Sequence, residues 1–296
     1  MENNLKDLDE LGQNLAKLSG IIDRIKKVGD VISPGNESWA NVISDQKDKT
    51  DNNVFRVLVM GAFNSGKSSM INALLGERVL PVATLPATAI ITELYYSEAK
   101  KIVMYPKPGK WQGGDEPFSI PVEDMKKYCL IDNNAEAMAK LDEDTKIIES
   151  PFEKMVVYWP LDILKKGVVI IDSPGLDDPY NHDDIAQNYA KKASAIIYLY
   201  GKDGMRGGDT AQLQDLNNLG YRSIMMVQTH YDIVLQDLAD EDGDPASYVQ
   251  QTDSNFSRYS DLSKEAFHHV SSRDALTAKK NGDTKLLRES GFEALE

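Results

Sequence analysis

Cysteine is almost missing from this chain: Cys129 is the one thiol among 296 residues. No internal disulfide is available, which fits a reducing compartment, and Cys129 itself reads as a small buried hydrophobe. Long apolar runs are missing too, none approaching the roughly 18 residues that mark a membrane-spanning helix. The opening MENNLKDLDELG has neither the basic nor the apolar region of a secretory signal, so a cytoplasmic location is expected. Positive charge is scarce: 33 Lys and Arg face 47 Asp and Glu, a net charge of −14, and no cluster of four or more basic residues interrupts it. Such a field repels polyanions, so no nucleic-acid partner and no broad adsorption to anionic lipid are expected. His182, His230, His268 and His269 are too scattered for a zinc site. What remains is an ordinary balance of 41% hydrophobic and 27% charged residues, sufficient for a globular core and one or two domains.

The most informative stretch present is VFRVLVMGAFNSGKSSMINALL at 54–75. Its apolar run, Val57 to Met60, predicts a strand that breaks at Gly61, and Gly66, Lys67 and Ser68 open a segment with helical spacing. The loop GAFNSGKS fits G-x-x-x-x-G-K-[ST]. In that pattern the glycines let successive backbone N–H groups turn inward on a phosphate chain. Lys67 reaches the terminal phosphates, Ser68 offers its hydroxyl to magnesium, and the helix adds its positive end.

Before this motif, Leu8, Leu11, Leu15, Leu18, Ile22 and Ile25 recur at spacings of three and four. They predict one amphipathic helix whose narrow apolar seam needs a partner. SPGNES breaks the pattern, and residues 31 to 53 read as a connector. After the motif, Pro81 and Pro86 forbid a helix, so a loop leading to a strand at about 89–96 is expected. P-loop enzymes bring a threonine of the loop after the first helix to magnesium, and resemblance to them points to Thr88, just before that strand, with Thr84 as the alternative. KKIVMYP and MVVYWP read as further strands, 122–130 as helical, and 134–149 as helix or loop.

The next run, from Gly167, is continuously apolar through VVII and ends in Asp172-Ser173-Pro174-Gly175. Such a run suits a strand buried on both faces. An aspartate at its end is costly unless it meets a cation or donors, so Asp172 suits magnesium's water shell and the Gly175 N–H the terminal phosphate. Strands are expected at 195–200, 223–228 and 268–270, and helices at about 209–219, 231–239 and 245–266. The polar motifs then fall at the carboxyl ends of strands in an α/β sheet, where ligands bind.

The order GAFNSGKS, Thr88, DSPG, THYD and SSR resembles the five nucleotide motifs of GTPases. GAFNSGKSSMINALLGERVLPVATLPATAIITEL and VVIIDSPGLDD resemble the dynamin-like GTPases, especially bacterial dynamin-like proteins and mitofusins, over 54–296. The resemblance implies a three-layer P-loop GTPase domain at 54–296, its mostly parallel central sheet flanked by helices, with residues 1–53 an N-terminal helix and connector belonging to a helical bundle. It implies nucleotide binding by Gly61, Phe63, Asn64, Ser65, Gly66, Lys67, Ser68 and Ser69, and a base site of Thr229, His230, Asp232, Ser271, Ser272 and Arg273. Ser68, Thr88 and Asp172 would hold magnesium, and Asn64, Ser65, Lys67, Thr88 and Gly175 would serve hydrolysis. GTP and GDP are the implied ligands. A second copy would join through the GTPase domain, with membrane reached only through regions outside this chain. Family members continue past a position like SGFEALE into helical bundles, so a piece of a longer protein, peripheral to membrane, is expected.

Two departures stand out. His230 replaces the lysine of [NT]-K-x-D, while Asp232 keeps the carboxylate that accepts from guanine N1–H and the 2-amino group. Phe63 stands where eukaryotic dynamins place glutamine. Leu176, after DSPG, cannot orient a water as the glutamine of small GTPases does. By resemblance to potassium-activated GTPases, Asn64 would instead hold a potassium or sodium ion completed by dimerisation. The loop GKDGMRGGD, with Asp203, Arg206 and Asp209, is a candidate dimer contact. A regulatory GTP switch or scaffold with little hydrolysis, and an RNA-associated assembly GTPase, stand as alternatives; an ATPase fits worst, because Asp232 would repel adenine N1.

Overall fold

The structure is a computed structural model that describes residues 17, 21, 24, 54–62, 64–82, 90–125, 128, 150–173, 189–221, 224–260 and 267–295. Nine strands form one sheet in the order β4-β3-β5-β2-β6-β1-β7-β8-β9. They are β1 (Phe55–Gly61), β2 (Ile91–Tyr96), β3 (Lys101–Pro106), β4 (Phe118–Ile120), β5 (Phe152–Trp159), β6 (Val168–Asp172), β7 (Ala195–Tyr200), β8 (Ile224–Gln228) and β9 (Phe267–His269). The block β6-β1-β7-β8-β9 is parallel throughout. On its other side β2 runs antiparallel to β6, and the meander of β3 and β4 extends the sheet from β5. The expected mostly parallel sheet is therefore present, widened by antiparallel strands that the sequence reading placed only in part; β4 was not expected.

Helices are α1 (Lys67–Leu75), α2 (Asp162–Lys165), α3 (Gly207–Asn218), α4 (Tyr231–Asp240), α5 (Pro245–Phe256), α6 (Ser272–Asn281) and α7 (Thr284–Glu289). α5 ends sooner than its apolar pattern suggests, passing into a 3₁₀ turn at Ser257–Tyr259. Within the 122–130 stretch the chain starts as a 3₁₀ turn, Val122–Asp124. α2, α6 and α7 were not anticipated.

Two apolar layers cover the sheet. Val59 joins the layer that contains Met70, Leu74 and Leu276, whereas Leu58 and Met60 join the layer with Leu213 and Phe256. This alternation is the two-residue period of a strand buried on both faces. α6 packs on α1, and Lys279 Nζ donates to Leu74 O at 3.1 Å while lying over the ring of Phe292, which is fully buried.

Of the first 53 residues only Lys17, Ile21 and Arg24 are described, all helical and exposed; the apolar seam of the expected amphipathic helix lies outside the described residues. Among the described residues no helix is long and apolar enough to cross a membrane.

Candidate functional site

The parallel register brings the polar motifs to one edge. Val59 pairs with Asp172, Gly61 with Leu199, Tyr200 with Gln228, and Gln228 with His269. The loops leaving β1, β6, β8 and β9 therefore begin side by side, at the carboxyl ends where an open α/β sheet binds ligands.

The first loop is held in its curl by conformations few residues tolerate. Gly66 has φ 85° and Asn64 has φ 63°. At Gly61 a Cβ would lie 2.2 Å from Leu199 O, so the loop can leave β1 only where no side chain exists. Ser65 is buried and its Oγ has no hydrogen-bond partner among the described residues; Asn64 is exposed. α1 begins straight from Gly66 with no side-chain cap and no acidic residue in its first turn, so its first N–H groups remain directed at the loop.

Lys67 lies only 7% exposed, its ammonium donating to Gly61 O and Ala62 O at 2.9 Å each. Ser68 Oγ donates to Asp172 Oδ2 at 3.1 Å, joining residues 104 positions apart in the chain. Asp172 is enclosed, and burial pushes its carboxyl up to about 6 against the opposing pull of the Lys67 charge and the Ser68 hydrogen bond. Its second oxygen, Oδ1, is buried with no hydrogen-bond partner among the described residues. A hydroxyl and a carboxylate in contact, one carboxylate oxygen still unsatisfied, is a hard-oxygen donor set that fits magnesium.

The second part is a pocket of about 420 Å³ lined on one side by Gly66, Thr229, His230, Asp232, Ser272 and Arg273. It touches the phosphate loop directly: Thr229 Oγ1 donates to Ser65 O at 2.7 Å, and a Cβ on Gly66 would meet Thr229 Oγ1 at 3.1 Å and His230 Cε1 at 3.3 Å. His230 turns the chain from β8 into α4 with φ 57°, and its Nδ1 lies 2.9 Å from Thr229 Oγ1. The histidine in the lysine position therefore lies against the loop glycine. Asp232 sits in the first turn of α4, its side chain 13% exposed and paired at 2.9 Å with Arg273 Nη2, itself 70% exposed. Ser272 Oγ is buried without a partner among the described residues. Ser271 departs from the expectation: it is buried, caps α6 by accepting from Asp274 N, and is not among the pocket-lining residues.

The opposite wall was missed in the sequence. It consists of Asn72, Arg78, Val79, Leu80 and Val82. Asn72, fully buried on α1, accepts from Val79 N and Leu80 N and donates to Leu80 O at 2.7–2.8 Å. An amide inside the otherwise apolar run MINALL was the available signal, since a buried Asn demands partners.

Phe63, Thr84, Thr88, Gly175 and Leu176 lie outside the described residues. The candidate dimer loop is described. Asp203 and Arg206 are exposed and paired with each other at 2.9 Å. Asp209 is 3% exposed, accepting from Arg206 N at 2.8 Å and from the Tyr198 hydroxyl at 2.7 Å. It caps α3 from inside, which removes it from the surface the sequence reading assigned to it.

Comparison with known proteins places these motifs in company. The profile of the Dynamin family matches residues 57–215. The chain is 30% identical over 204 residues to a "Bacterial dynamin-like protein" of Nostoc punctiforme, a match covering 66% of this chain and 28% of that protein. It is 52% identical over 150 residues to a "Probable transmembrane GTPase FZO-like, chloroplastic" of Arabidopsis thaliana, covering 50% of this chain and 12% of the other. A solved chain from "An oligomerised bacterial dynamin pair" superposes with a TM-score of 0.55 at 20% identity, over 97% of this chain and 42% of that one. The chain thus spans well under half the length of each.

Proposed function

This chain belongs to the Dynamin family, and we propose that it binds GTP with magnesium and hydrolyses it to GDP and phosphate. The observation that carries the reading is a single pocket running from Gly66 and Ser69 of the phosphate loop to Asp232, Ser272 and Arg273. One end is the uncapped start of α1 with its loop, the other a carboxylate.

At the phosphate end, Lys67 exchanges its carbonyl partners for phosphate oxygens, which requires little movement of the buried ammonium. Ser68, Asp172 and Thr88 would hold magnesium, which supplies neutralisation of charge on the phosphates. Preorganised donors of this kind stabilise charge that develops in phosphoryl transfer. At the base end, Asp232 gives up Arg273 and accepts from guanine N1–H and the 2-amino group. Asn64, exposed in the loop, is the candidate ligand of a potassium or sodium ion, and the Gly175 N–H a further phosphate donor. Dimerisation through the GTPase domain, with Asp203 and Arg206 at the contact, would complete the site. The reading extends to work on membranes, in keeping with the "transmembrane GTPase" in the name of one relative.

Calorimetric titration with GTP, GDP and ATP, with Asp232→Ala as control, tests the nucleotide. Equal affinity for ATP and GTP would overturn the guanine assignment. Multiple-turnover phosphate release in potassium, sodium and cesium chloride at equal ionic strength tests the second cation, and cation-independent rates would remove it.

A further inference from the structure

Behind the base end lies a polar network that does not line the pocket. β9 is three residues long and, among the described residues, pairs with β8 alone, so few ladder bonds fix the loop that carries Ser272 and Arg273. Side chains supply what the ladder lacks. His269 Nδ1 lies 2.7 Å from Gln228 Oε1, and His269 Nε2 lies 3.0 Å from Asp253 Oδ1. Gln228 Nε2 donates to the Tyr248 hydroxyl at 2.6 Å. The His269 and Asp253 side chains are 8% and 15% exposed, and Gln228 is fully buried. The ring of Tyr231, first residue of α4, lies 5.2 Å from that of His269.

The two strand residues of this network stand at the roots of the two base-reading segments. Gln228 immediately precedes Thr229 to Asp232, and His269 is followed by Val270 and then Ser271 to Arg273. Val270 N donates to Gln228 O at 2.8 Å and Tyr231 N to Val270 O at 3.1 Å, so the segments are stitched together just past the network. Tyr248 and Asp253 belong to α5, from which no residue lines the pocket. α5 reaches the roots of these segments through Gln228 and His269.

We propose that Asp253 and Tyr248 are positioning residues for purine recognition: through His269 and Gln228, α5 fixes the spacing between the Asp232 carboxylate and the Ser272–Arg273 turn. This rests on the reading of the pocket as a guanine-nucleotide site. Buried networks of charge-assisted hydrogen bonds hold such geometry more tightly than a short edge ladder does.

The test is the split between base recognition and turnover. Asp253→Ala should raise the Kd for GDP about tenfold and shrink the preference for GTP over inosine triphosphate, which lacks the 2-amino group, while kcat at saturating GTP stays within about twofold. Asp253→Asn, which keeps an oxygen facing His269 Nε2, should restore most of the affinity. Tyr248→Phe, which removes one hydroxyl, should produce a smaller shift in the same direction and serves if Asp253→Ala fails to fold. Unchanged Kd and unchanged discrimination in folded Asp253→Ala or Tyr248→Phe would overturn the proposal alone. A fall in kcat with Kd unchanged would overturn it too, and a wild-type protein without preference for GTP over ATP would overturn both it and the nucleotide reading.

Discussion

The two ends of the pocket are built by different means. The phosphate end is one continuous loop whose backbone does the work, with Lys67 donating to Gly61 O and Ala62 O and Ser68 Oγ donating to Asp172. The base end gathers Thr229, His230, Asp232, Ser272 and Arg273 from two segments more than 40 positions apart, and it holds them by side-chain contacts reaching back into α5. Backbone curvature dictates sequence tightly, because only glycine fits where a Cβ would collide. Side-chain support leaves many solutions open.

The difference predicts that damage at one end should be separable from damage at the other. The largest effect belongs to Lys67→Ala, which should slow phosphate release roughly 10²–10³-fold while residual binding keeps its guanine preference. Loss of that preference along with turnover would break the division. Asp232→Ala should do the converse, cutting the preference for GTP over ATP by roughly 100-fold in competition titrations, with kcat at saturation the less affected quantity.

The pH dependence should sharpen the contrast. Because burial raises the Asp172 carboxyl to about 6, the folded metal-free protein binds a proton that the unfolded chain releases until lower pH. Its stability therefore increases as pH falls through 6 and the gain is complete below the usual carboxylate value. Magnesium needs the ionised form, so its affinity should drop by about tenfold for each pH unit below 6. Melting temperatures measured from pH 7 to pH 5 should rise toward low pH without magnesium and stay nearly level with saturating magnesium, and Asp172→Asn should flatten the metal-free profile.

Smaller effects follow at the margins. Asn72→Ala strands two backbone donors and one acceptor, and should lower Tm by roughly 5 °C, seen by differential scanning calorimetry. Arg206→Ala breaks only an exposed pair and should shift Tm by less than about 2 °C. If dimers form through this loop, analytical ultracentrifugation with a transition-state analogue should nevertheless show them weakened.

Legibility in the sequence tracked this same division. Gly61, Gly66, Lys67, Ser68 and Asp172 were readable because spacing and strand-end position are local, and the structure brings them together. The parallel core was readable from its continuous apolar runs. Asn72, Arg78 and the Gln228–His269–Asp253 network were not, because their partners lie on other elements and no short pattern encodes them. Asp209 misled for a related reason: in a charged loop it looks solvated, yet Tyr198 and the α3 terminus draw it inward. α6 and α7 were overlooked beyond the last recognised motif, although Ser271 and Asp283 are ordinary helix caps.

The contact of Gly66 with Thr229 has a further meaning. A methyl group at position 66 would press on Thr229 and His230 at 3.1–3.3 Å, so the jaw that grips phosphate and the jaw that grips the base share a bearing surface. The molecule then works as a caliper of set gauge. On the proposed reading, a ligand is judged by the length between its ring and its phosphates as well as by either end.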